Sequence, residues 1–219
     1  LILLFNFLIC SISNNGNAST FLAMDSFRPA GMVYHKSSNV LYMSDYGSRS
    51  VLSIQLSRDG TVALTLRECK YPNSPLIAVS YSAPRFSEKV QGTKHAAWDE
   101  YLQARSFSIA NGAHISLLVH DGTVVDGDQC TPILLDVDGV ALAPTPEGGG
   151  VESVTLSILK PIIEAAGIPF RYARITENLL GRARELIVVG TGVGVAWVNE
   201  IDGQSIGIGS PGPLFEVCN

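Results

Sequence analysis

Charge is scarce in this chain. Asp, Glu, Lys and Arg make up 16% of its 219 residues, against 46% apolar residues. The charges are mixed along the sequence to a net of −5, and no basic run or basic helix face gathers. That excludes the electrostatic footprint of a nucleic-acid binder. An anionic ligand would have to be held locally, by backbone amides or a few placed side chains, because the overall field does not attract it. Cysteine supplies no framework either. Cys10, Cys69, Cys130 and Cys218 lie far apart, no Cys-x-x-Cys pair occurs, and His35, His95, His114 and His120 show no metal-ligand spacing with them. No metal site is expected, and a reduced, cytoplasmic chain is the simpler reading. No apolar run is long enough for a spanning helix, so no membrane partner is expected. Internal repeats are also missing. What remains is ample apolar material for a packed core.

The first residues, Leu1 to Ser13, are an apolar run without an initiator Met or a basic flank. Two readings stay open. The run is the tail of a signal peptide, with small residues at Ala18-Ser19 and a glycosylation sequon at Asn17-Ala-Ser19. Alternatively it is a fragment boundary or translated upstream sequence, with Met24 the true start. Three parts are expected: residues 1–24 as leader or boundary, 25–86 as an incomplete β-rich N-terminal domain, and 87–219 as a second domain.

In the first half, Val40 to Met43, Val51 to Leu56, Val62 to Arg67 and Ile77 to Tyr81 read as strands, with Asp59-Gly60 the clearest hairpin turn. The stretch from Asn39 to Gly60 is similar to one blade of a gluconolactonase-type β-propeller, an architecture that needs four or more blades to close. After Lys94 the period changes. Trp98, Leu102, Arg105 and Ile109, with Ala97, Tyr101 and Ser108 beside them, follow helical spacing until Asn111-Gly112 stops them. Strands follow at Ile115 to Val119, Thr123 to Val125, Ile133 to Leu135 and Val140 to Leu142, joined by Asp-Gly turns. A Gly-rich loop, Pro144 to Gly150, leads into a helix from Ser153 to Ala166, with a kink expected at Pro161. Phe170 to Ile175 reads as a strand, Thr176 as the cap of a helix reaching Arg184, Leu186 to Val189 as a buried strand, and Gly190 to Gly194 as a turn into Val195 to Val198. Helices and antiparallel hairpins in mixed order make an α+β chain.

Four segments carry candidate chemistry. Gln91-Gly-Thr-Lys94 sets a lysine before an aromatic-rich helix. Asp126 follows in Gly122-Thr-Val-Val-Asp126, Val154-Thr155 opens a helix behind a glycine-rich loop, and Thr191-Gly192 sits in a Gly-rich turn after a buried strand. Each has a plain alternative: a solvated lysine, a β-turn, a helix start and a tight turn.

Taken in order, these segments resemble the class IV, fold-type IV pyridoxal-phosphate enzymes, the family of D-amino-acid and branched-chain aminotransferases and aminodeoxychorismate lyase. The likeness runs from about Val90 to the C-terminus. It includes Asp138-Gly139 to Pro144, Ser153-Val-Thr155, Gly190-Thr-Gly192 and the ending Ile206-Gly-Ile-Gly-Ser-Pro-Gly-Pro213. It implies a fold-type IV architecture with a shortened N-terminal β-rich domain and the cofactor pyridoxal 5'-phosphate. Lys94 is then the Schiff-base lysine, which must lose its proton to attack. Asp126 faces the pyridine nitrogen, where a carboxylate favours the protonated ring. Val154, Thr155, Thr191 and Gly192 bind phosphate through amides and hydroxyls at a helix start and a glycine-rich turn. The implied activity is an aminotransferase acting on a small amino-acid or keto-acid substrate, in a homodimer. The alternatives are a lyase of the aminodeoxychorismate type and a non-catalytic remnant. The chain departs from the family pattern at Asp126, where glutamate is usual, at Thr131 in place of asparagine, and at Leu156 in place of arginine. Upstream, Arg49 is the nearest candidate for the family's phosphate-binding arginine.

Overall fold

The computed structural model describes residues 2–5, 8–12, 18–23, 29–35, 40–45, 50–56 and 62–68 as backbone, and 75–86, 92–93 and 98–219 with their side chains. Lys94, Arg49, Met24 and the Asp59-Gly60 turn lie outside the described residues. The chain forms two units, Leu1–Cys69 and Lys70–Asn219.

The first unit holds two antiparallel sheets. Strands β1 (Ile2–Phe5), β2 (Leu8–Ile12) and β3 (Ala18–Ala23) make one. Strands β4 (Pro29–His35), β5 (Val40–Asp45), β6 (Ser50–Leu56) and β7 (Val62–Glu68) make the other, each antiparallel to the next. The runs at Val40, Val51 and Val62 thus form strands as expected.

The second unit is built on a ten-stranded mixed sheet. In chain order its elements are β8 (Leu76–Ser82), α1 (Asp99–Ala110), β9 (Ile115–His120), β10 (Thr123–Gly127), β11 (Thr131–Leu135), β12 (Ala141–Pro144), α2 (Val154–Ala165), β13 (Phe170–Ala173), β14 (Ile175–Thr176), α3 (Glu177–Leu180), β15 (Glu185–Gly190), β16 (Gly194–Ile201), β17 (Gln204–Ser205) and α4 (Pro213–Cys218). The spatial order is β13-β12-β11-β15-β16-β8-β9-β10-β14, with β17 paired to β16. The segment read as one strand from Phe170 to Ile175 is divided at Arg174. Its first part pairs parallel to β12 and its second antiparallel to β10. The two ends of the sheet are therefore joined by a single residue of chain, and the sheet nearly closes into a barrel, which leaves little open edge.

Strand β15 is buried on both faces, which is why its sequence is continuous rather than alternating. Leu186 and Val188 pack with Leu117, Ile175 and Val198 on one side. Ile187 and Val189 pack on the other with Leu156, Leu159 and Ile163 of α2 and Leu214 of α4. Each such side chain contributes about 1.5–3 kcal/mol of burial. Helix α2 starts on Ser153, whose hydroxyl accepts from the Leu156 amide, runs through Pro161, and stops at Gly167, where φ is 83°. Helix α3 begins on Thr176 as expected but ends at Leu180, short of Arg184. The Arg184 amide donates instead to the Leu135 carbonyl at 2.9 Å, which draws the chain back into the sheet.

Helix α1 forms where the spacing predicts it, but only the Tyr101–Ser108 edge of the expected stripe is buried. Leu102 and Ile109 are 58% and 61% exposed, while Tyr101, Ala104 and Ser108 are buried. The small side chains of Ala104 and Ser108 let the helix approach the sheet closely, and Ser116 of β9 donates its hydroxyl to the Ala104 carbonyl at 2.7 Å. Among the described residues no helix is long and apolar enough to cross a membrane.

Candidate functional site

The turn Asp121-Gly122, with φ of 48° and 64°, reverses β9 into β10. A bulge between Val124 and Asp126 shifts the register of β10 against β9. Asp126 is only 3% exposed. A buried carboxylate is costly unless donors meet it, and here two of them meet the same oxygen. The Tyr101 hydroxyl of α1 donates to Asp126 Oδ2 at 3.1 Å, and the Val151 amide donates to it at 2.9 Å. The amide comes from the glycine-rich loop ahead of α2. That loop reaches β10 because residue 150 is glycine: a Cβ there would lie 2.1 Å from the Val125 carbonyl oxygen.

Aromatic packing holds the tyrosine. Trp98 stacks on the Tyr101 ring at 3.9 Å between centroids, and Phe86 stacks on it at 6.4 Å. Burial pushes the Tyr101 phenol up from its ordinary value, and the Asp126 charge and hydrogen bond push it further. It therefore stays protonated and can donate.

Asp126 lines a cleft with Thr131, Val151, Ser153, Ser157 and Tyr172, floored in part by the start of α2. The enclosed space is about 40 Å³, against the ~300–1,000 Å³ of sites that enclose a small ligand. By itself the cleft is too small to enclose a small ligand. Val154, 56% exposed, and the half-buried Thr155 are in the first turn of α2, beside the lining residues but not among them. The first amides of a helix have no partner within it and suit an anion. Thr191 and Gly192 are exposed in the turn between β15 and β16. That turn lies next to the chain leaving β10: a Cβ on Gly190 would be 3.1 Å from the Gln129 carbonyl oxygen. Asp126 and the α2 start thus share one wall, while Thr191 and Gly192 stand apart from the cleft lining.

Two residues beyond Asp126, Asp128 is buried as well, at 4% exposure. Among the described residues no donor meets either carboxylate oxygen in good hydrogen-bond geometry, and the nearby backbone amides of Ser116, Gln129 and Asp128 compensate its burial only in part. Its ion-pair partner is Arg105 of α1, at 3.8 Å, which also donates to the His114 carbonyl. Burial pushes the Asp128 carboxyl up to about 6, and the Arg105 charge opposes this only in part. Burial also raises the Cys130 thiol, with the charges of Asp128 and Asp126 adding to it, so Cys130 is no nucleophile at neutral pH. Trp197 packs partly buried in the core, and His120 pairs with the exposed Asp121 at 3.2 Å.

Tyr101, Val151, Arg105 and Asp128 are absent from the sequence-based candidates. The signal for Tyr101 is its place in the helical pattern, which reads equally as packing. Its contact with a strand residue 25 positions on depends on tertiary structure.

The sequence matches the amino-transferase class IV family over residues 35–201. No curated protein sequence matches the chain. Among solved structures it is similar to a T.th. branched-chain amino acid aminotransferase complexed with N-(5'-phosphopyridoxyl)-L-glutamate. The identity is 23% and the TM-score 0.65, over 77% of this chain and 62% of that one. It is similar to the branched-chain aminotransferase of Thermoproteus uzoniensis with norvaline, at 22% identity and a TM-score of 0.64, over 76% and 60% of the two chains. A hypothetical aminotransferase from Mycobacterium tuberculosis in a PLP-bound form aligns at 15% identity and a TM-score of 0.65, over 77% and 66%. The chain therefore spans about three-fifths to two-thirds of the length of these structures. At these identities the likeness establishes the fold: an α+β, fold-type IV architecture with a nearly closed mixed barrel and flanking helices.

Proposed function

This chain belongs to the class IV aminotransferase family, and from that premise we propose that it is a pyridoxal-phosphate-dependent enzyme that transfers the amino group of a small amino acid to a keto acid. The observation that carries the reading is Asp126, a buried carboxylate tied by Tyr101 and Val151 into the wall that also holds the start of α2.

The donor set fits pyridoxal phosphate in kind. Asp126 would hold the ring nitrogen. The amides of Val154 and Thr155, with the Thr155 hydroxyl, would hold the phosphate from the α2 start. Thr191 and Gly192 would meet it from the β15–β16 turn. Lys94 is the amine assigned to the cofactor's aldehyde and the base that moves a proton at the substrate carbon. When bound, the cofactor supplies an electron sink conjugated to that carbon. A carboxylate at Asp126 would favour the protonated form of the ring nitrogen, and its burial would strengthen that pairing. A homodimer is part of the proposal.

Adding pyridoxal phosphate to the purified chain tests it. A yellow absorption band should appear and be abolished by borohydride and by Lys94→Ala. No band at saturating cofactor overturns the reading in favour of a non-catalytic relative. Where the band forms, half-reactions with D- and L-amino acids should release keto acids. Pyruvate release from aminodeoxychorismate without amino transfer would assign a lyase instead.

A further inference from the structure

We propose that Tyr101 is a positioning residue that acts through Asp126, fixing the carboxylate so that it can pair with a ring nitrogen in this shortened version of the site. The proposal rests on the cofactor assignment above and adds to it a residue on α1.

Side-chain length creates the need for such a residue. Aspartate places its carboxylate one methylene nearer the backbone than glutamate, and its χ2 torsion is broad. Left alone, such a group samples many orientations. Here Oδ2 is met from two directions, by the Tyr101 hydroxyl at 3.1 Å and the Val151 amide at 2.9 Å. Two donors on one oxygen fix both the position of that oxygen and the plane of the carboxylate. The amide is a rigid donor because Gly150 seats the loop against the Val125 carbonyl. The hydroxyl is a rigid donor because Trp98 and Phe86 clamp the ring.

The register of α1 on β10 supports the same role. Tyr101 and Arg105 lie one helical turn apart on the same face. They address Asp126, within β10, and Asp128, just beyond its end. Two matched contacts leave the helix no freedom to rotate without breaking both. Among the described residues, Tyr101 donates to this carboxylate, Cys130 feels its charge, and Glu152 lines the same cleft.

Tyr101→Phe keeps the ring stack and removes only the hydroxyl. The test is equilibrium binding, read by absorbance or fluorescence, of two probes to the full chain. One probe is pyridoxal 5'-phosphate; the other is its 1-deaza analogue, in which a C–H replaces the ring nitrogen. The variant should bind pyridoxal phosphate about tenfold more weakly, the effect of one hydrogen bond to a charged group, and should bind the deaza analogue as the wild type does. Asp126→Asn should lose the wild type's preference for pyridoxal phosphate over the analogue. Adding Tyr101→Phe to Asp126→Asn should then cost nothing further, as expected of residues acting as a unit. Equal weakening toward both probes would mark Tyr101 as merely structural and overturn the proposal, as would unchanged binding of both. Wild-type chain that binds neither probe would instead overturn the cofactor assignment itself.

Discussion

Asp126 near the end of β10 and Asp128 just beyond it are two residues apart and almost equally buried, but their surroundings differ. Asp126 faces the loop before α2 and the tyrosine of α1, and both donate to it. Asp128 faces α1, where its ion-pair partner is Arg105 at 3.8 Å, and the backbone amides near it are not in good hydrogen-bond geometry. Burial alone therefore does not mark a working carboxylate. A buried acid met by well-placed donors is stabilised in place, whereas one poorly met by donors is a cost to the fold that its proton relieves.

The contrast can be broken most severely at Gly150. Gly150→Ala puts a Cβ against the Val125 carbonyl, so the loop must leave β10 and carry the Val151 amide away from Asp126. A loss of about 3 kcal/mol or more in denaturant unfolding is expected, together with loss of pyridoxal-phosphate binding.

The opposite sign is expected at the other carboxylate. Asp128 holds its proton to about 6 in the folded chain, against 3.8 ordinarily. Between those values the folded state binds more protons than the unfolded one, so the contribution is fully present below the ordinary value and is lost as pH rises through about 6. The Asp128 contribution to this fall is ~3 kcal/mol. Asp128→Asn should remove that part of the pH dependence and raise stability in mildly alkaline buffer by ~1–3 kcal/mol, measured by urea unfolding across pH. A variant that is less stable there would mean the Arg105 pairing outweighs the burial cost. The smallest effect sharpens the Asp126 side. Ser153→Ala removes the cap of α2 and should cost about 1 kcal/mol, with a modest weakening of phosphate-dependent binding as the helix start frays.

Much of this fold was legible in the sequence because its signals are local. Asp121-Gly122 and Asp202-Gly203 adopt the positive φ their residues favour, Ser153 and Thr176 cap helices, and the run Leu186 to Val189 is the strand buried on both faces. Three features were not legible. Arg174 divides one apparent strand between opposite ends of the sheet, a matter of closure that no local pattern encodes. Helix α1 buries Tyr101, Ala104 and Ser108 while exposing Leu102 and Ile109, because close approach to β9 outweighs side-chain hydrophobicity. The donors to Asp126 come from a helix before it and a loop after it, so only the folded chain assembles them. The assignments of Lys94, Asp126, Val154, Thr155, Thr191 and Gly192 came from the order of family-like segments, and their roles are proposals to be measured.

Lys94 is the centre of those proposals, and one measurement addresses it directly. The chain is incubated with pyridoxal phosphate, reduced with borohydride, digested and mapped by mass spectrometry. A phosphopyridoxyl adduct is expected on the peptide that contains Lys94 and none on Lys36, Lys70, Lys89 or Lys160. An adduct on another lysine, or no adduct on Lys94 at saturating cofactor, would contradict the assignment.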